Sequence, residues 1–138
     1  MIQRLQTLWL LLAAVCMFLV RYFSFYVGEH PISKTMVNIK GASQMQVDIL
    51  IHIFLLITLV VIFLFKNPKL QFKIVLALIG FCAFIIFALY KQTTNLLNGT
   101  FSITAVVPVF ALGFAISAAK CIYNDIKTLK NLNSNRLR

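Results

Sequence analysis

Four long apolar runs divide the chain. No Lys, Arg, Asp or Glu falls within 5–20, 49–65, 74–90 or 92–119. None of these runs alternates apolar and polar residues as a membrane β-barrel strand would. They are apolar on every helical face. A bilayer core about 30 Å thick is crossed by about 20 apolar helical residues. A crossing segment must also satisfy its own backbone hydrogen bonds. The pattern predicts an all-α membrane protein, an up-down bundle of four transmembrane helices at about 8–27, 47–65, 72–90 and 102–122. One domain, 1–138, holds all four.

The polar breaks predict the connections. Lys66-Asn67-Pro68-Lys69 reads as a tight turn, because proline cannot continue the second helix. Spans two and three then form an antiparallel hairpin. Residues 28–46 form the longest loop, with Gly28, Pro31 and Gly41 among polar residues, and 35–39 suit a short strand pair. Residues 92–100 form the other loop on that side. Pro108 is expected to kink the fourth helix near its start. Arg4 ahead of an apolar run also suits a signal peptide, but the run is too long and lacks a small-x-small cleavage site. Val15 before Cys16 is too large for a lipoprotein cleavage box.

Composition agrees with the bilayer. Hydrophobic residues make up 61% of the chain and charged residues 12%. Disorder needs the opposite balance, and soluble domains carry about 25% charged residues. Charge adds an orientation. Thirteen Lys and Arg stand against three Asp and Glu, a net charge of +10. Nine of the cations fall on the side of the termini and the 66–73 turn, and three on the other. Short basic loops stay in the cytoplasm, so both termini are expected there. Lysines beside spans set topology and meet anionic headgroups. No basic groove interleaved with aromatics lies outside the spans, which argues against nucleic acid.

Few residues offer chemistry. Arg21 is placed inside the first span, about 7–8 Å below its outer end. Asp48 and His52 enter from the same side on the second span, four residues apart and so on one face. The three are expected to form an intramembrane polar cluster. It reads either as a clasp between spans one and two or as a proton or anion site in a small transporter or channel. Ala111, Ala115 and Ala119 recur every fourth residue, with Gly113 and Ser117 on a neighbouring stripe. Small residues at this spacing let helices pack closely, within this chain or against a membrane-protein partner. Past the bilayer, Ile122, Ile126 and Leu129 keep helical spacing among Lys120, Lys127 and Lys130. The stretch 120–138 therefore suits a basic amphipathic tail, lying on anionic lipid or docking a partner.

Cys16, Cys82 and Cys121 are an odd, scattered set and read as small buried hydrophobes. The chain lacks a phosphate loop, a zinc-protease motif and a nucleophile elbow. Three acids leave little for acid–base work. No catalytic, metal or cofactor site is expected. The expected role is a non-enzymatic accessory or assembly subunit of a larger membrane complex. The alternatives are the transporter and an anionic-lipid binder at the cytoplasmic rim, whose binding would weaken with salt.

Met1-Ile2-Gln3-Arg4 opens the chain and Asn135-Arg136-Leu137-Arg138 closes it. Together with the four runs, these ends resemble a bacterial family of small four-span integral membrane proteins of unknown function. Its members open with Met-Ile-Gln-Arg and close with Asp-Arg-Leu-Arg, so Asn135 is a departure. The resemblance implies a Gram-negative inner membrane and brings no activity. Arg4, Arg136 and Arg138 join Lys120, Lys127 and Lys130 as candidate contacts for lipid or a partner at the cytoplasmic ends.

Overall fold

The computed structural model describes residues 2–30, 34–64, 67–94 and 96–136, without the side chains of 2–4, 97, 98 and 133–136. Helix α1 spans Ile2–Tyr22, strand β1 Ser24–Glu29 and strand β2 Met36–Lys40. Helices α2 and α3 follow at Met45–Phe63 and Pro68–Thr93. Strand β3 is Leu97–Phe101, and a 3-10 turn, Ile103–Val106, leads into α4, Val107–Arg136. All four helices are long and apolar enough to cross a membrane. Only about three in ten residues of each span are buried in the protein. Leu56, Phe63, Leu76, Phe87 and Phe110 point outward, as lipid-facing side chains should.

α1 packs against α2 and α4, and α3 packs against the same two helices. Trp9 meets Phe114 at 5.7 Å and Phe72 meets Tyr123 at 6.0 Å, so α1 and α3 each set an aromatic ring against α4. The α2–α3 turn is held from inside. Gln71, almost fully buried, donates through Nε2 to the Val61 carbonyl at 3.2 Å. That carbonyl, in the last turn of α2, also accepts the Leu64 N–H at 3.1 Å, so Gln71 adds a second donor at the helix end. Pro68 stands at the start of α3, where its missing N–H is no loss.

The first helix ends earlier than the 8–27 reading. Phe23 to Val27 are apolar, and hydropathy alone carries the span across them. They are also aromatic or β-branched, which suits a strand. α1 stops at Tyr22 and the chain turns into β1. β1 is the central strand of a three-stranded antiparallel sheet in the order β2-β1-β3. The structure is thus not all-α. The strand expected at 35–39 is present as β2, but its partner β1 comes from residues assigned to the span. β3 comes from the stretch read as a plain loop.

A bulge between Ser24 and Tyr26 shifts the β1 register. Bulges put neighbouring side chains on one face, and Phe25 and Tyr26 are both buried. Phe101 closes on both, with centroid distances of 5.8 and 5.0 Å. Gly99 lies so close under the Tyr26 ring that a side chain there would overlap it. Met17, Val20, Ile51, Phe54 and Ile85 continue this core into the helices. A second cluster, with Leu10, Val61, Val75 and Ile122, fills the half nearer the termini. Pro108 is the second residue of α4. It begins the helix instead of kinking it, because a proline in the first turn removes no hydrogen bond from within the helix.

Candidate functional site

The early end of α1 relocates Arg21. It lies in the last turn of α1, at the rim beside the sheet, not well inside a span. Asp48 lies in the first turn of α2. A cation at a helix C-terminus and an anion at a helix N-terminus each complement the macrodipole of their own helix. Gly41 brings the two ends together. Its N–H donates to the Val20 carbonyl at 3.0 Å, closing the last turn of α1 from a distant part of the chain.

The three residues do meet. Arg21 Nε lies 3.1 Å from Asp48 Oδ1. His52 Nδ1 donates to the Asp48 backbone carbonyl at 2.8 Å. That assignment leaves Nε2 with its lone pair, which accepts from Arg21 Nη1 at 3.1 Å. Asp48 Oδ1 is buried and takes no well-aimed hydrogen bond, so its contact with Arg21 is a close charge pair and not a fork. The Arg21 and Asp48 side chains are partly buried and His52 is half-exposed.

The alanine stripe is used within the chain. Ala111 and Ala115 are fully buried and Ala119 nearly so, with Ala118 beside them. α1 and α4 share the most extensive helix contact, and Leu10, Ala13 and Met17 of α1 are fully buried. Gly113 points outward with nothing near it, and Ser117 donates to the Gly113 carbonyl at 3.0 Å.

α4 continues past the span to Arg136. Ile122 is fully buried and Ile126 partly so. Leu129 and Leu132 are 55% and 60% exposed. Lys120, Lys127 and Lys130 are exposed around them. The side chains of Arg4 and Arg136, and Arg138 altogether, lie outside the described residues. Cys16, Cys82 and Cys121 are free thiols. Among the described residues, no three His, Cys, Asp or Glu side chains cluster as metal ligands.

Sequence reasoning missed Gln71, and it missed a groove between the N-terminus of α2 and the C-terminus of α3 that includes Gln44, Lys91 and Gln92. Their signal was available. Polar residues gather at the same depth on two adjacent spans.

A search of curated proteins and a search of solved structures each returned no match. The model of one family, described as a domain of unknown function (DUF4293), matches residues 2–137. That span agrees with the resemblance to an uncharacterised family. The four apolar helices, the sheet and the polar rim all lie within it, and the chain belongs to the DUF4293 family.

Proposed function

We infer that the chain is a non-enzymatic accessory or assembly subunit of a larger complex in a bacterial inner membrane. In this reading it is an up-down bundle with both termini in the cytoplasm. The far end of α4 carries the inference. At 30 residues the helix is about 45 Å long, well beyond a 30 Å bilayer core. Its surplus presents Leu129 and Leu132 outward among basic side chains. The intramembrane alanines, by contrast, are already covered. The partner surface is therefore the cytoplasmic end of α4. The basic residues of the tail and of the α2–α3 turn support that orientation.

A photo-crosslinker placed at Leu129 or Leu132 in native membranes tests the reading. One recurrent protein partner is expected by mass spectrometry. Recovery of lipid and self-crosslinks alone rejects it. A reporter fused to the C-terminus should be active only in the cytoplasm.

A second reading, a small proton or anion transporter, rests on the meeting of Arg21, Asp48 and His52. Reconstituted vesicles should then show flux that falls in Arg21→Leu and Asp48→Asn; unchanged flux removes it. A third, anionic-lipid binding at the cytoplasmic rim, rests on the exposed Lys120, Lys127 and Lys130. It predicts lipid attachment that 1 M salt disrupts, since screening shortens the Debye length to about 3 Å.

A further inference from the structure

The first turns of α2 and the last turns of α3 enclose a groove of about 490 Å³ at the sheet end. Its lining is graded with depth. Gln44, Lys91 and Gln92 stand at the mouth, and Leu50, Ala88 and Phe84 line the part below. Leu50 lies six residues along α2 from Gln44, about 9 Å, and Phe84 eight residues along α3 from Gln92, about 12 Å. Amide and ammonium groups thus give way to hydrocarbon over about 10 Å. That is the order of a lipid monolayer, headgroup above acyl chain. Phe84 is exposed, so the lower part opens toward the bilayer.

The mouth is built for an anion. Among the described residues no carboxylate lines the groove, and Lys91 is the cation. Gln44 caps α2 without a side-chain hydrogen bond, leaving first-turn N–H groups open. Gln92 Nε2 is buried and has no hydrogen-bond partner among the described residues. A buried amide donor left unpaired is costly, and a rotation of the Gln92 amide toward the groove would let a phosphate oxygen accept from it.

We propose that this groove binds one phospholipid with an anionic headgroup. Its phosphodiester sits against Gln44, Lys91 and Gln92, and one acyl chain lies along Leu50, Ala88 and Phe84. A helix from another protein would bring apolar surface to the mouth, strip water from Lys91 and leave the Gln92 donor unpaired. The inference does not use the accessory role, and its site lies at the opposite end from the Leu129 surface.

Native mass spectrometry of the full-length protein in mild detergent tests it, with phosphatidylglycerol and phosphatidylcholine added in turn. One phosphatidylglycerol is expected to stay bound in preference to phosphatidylcholine. Lys91→Gln should weaken its retention about fivefold. Ala88→Trp, which fills the lower groove, should weaken it at least about tenfold. Lys127→Gln, at the far end, should leave it unchanged, and millimolar inorganic phosphate should not displace it. Equal retention of the two lipids, unchanged retention in Lys91→Gln, or displacement by phosphate alone overturns the proposal. So does an equal loss in Lys127→Gln, which would mean unspecific attraction. Should Ala88→Trp fail to fold, the surface variant Lys91→Gln decides alone.

Discussion

Gly41 is where one absent atom matters most. A Cβ there would stand 2.9 Å from the Val20 carbonyl oxygen and 3.2 Å from the Arg21 Cα. The carbonyl is the one Gly41 itself caps. Gly41→Ala must open that contact, at about 1–3 kcal/mol. Thermal melting in detergent should show a clear drop. The Arg21–Asp48 pair is weaker. Both side chains are partly exposed, so a double-mutant cycle with Arg21→Leu and Asp48→Asn should give a coupling of about 0.5–1 kcal/mol. The cluster was legible in the sequence because charged side chains are rare in apolar runs, and because Asp48 and His52 share a helical face. Its depth was not. Hydropathy scores Phe25 and Val27 as membrane residues whether the backbone is helical or extended. Gly41 was equally opaque. Its role depends on contact with residues some twenty positions earlier, which no local pattern announces.

Helix α4 holds two surfaces with different fates. Its alanine face is buried and closely approached, while Gly113 faces open space. Ala115→Leu should therefore overpack the contact with α1 and destabilise by about 1–3 kcal/mol. Gly113→Leu should be neutral or slightly stabilising, since glycine is a poor helix former. Melting the two variants side by side checks the contrast. The spacing of 111, 115 and 119 was enough to find the stripe. It could not tell an inner neighbour from an outer one, because small residues serve both. The extension from Ile122 to Leu129 was legible for a related reason, since apolar residues kept helical spacing after the charge density rose. Leu129→Asp should change stability by no more than about 0.5 kcal/mol, as exposed substitutions usually do. The same change should abolish crosslinks to a partner.

The whole molecule is tied unequally at its two ends. At one end the three-stranded sheet, the 3-10 turn and Gly41 knit α1, α3 and α4 together. Thr104 reaches across to the Ser24 carbonyl, and the Ser102 N–H donates to the Phe25 carbonyl at 3.2 Å. At the other end the α2–α3 turn with its Gln71 clasp makes the described connection. Amide hydrogen exchange should be slow in β1 and in the last turn of α1, and faster in α4 beyond Ile126. Comparable protection at both places would contradict this picture. The number of helices, the tight turn and the basic ends could be read from hydropathy and charge. The sheet could not, because its strands come from three separate connections and pair only once the helices stand side by side.

The β2-β1-β3 order also sets a timetable for biosynthesis. The central strand emerges first from the ribosome, and the neighbour on its second edge emerges after three helices have been made. Until then β1 carries an unpaired row of backbone donors and acceptors, an invitation to any stray extended peptide. Chains halted after the second helix should therefore be captured or degraded more readily than chains halted just past Phe101.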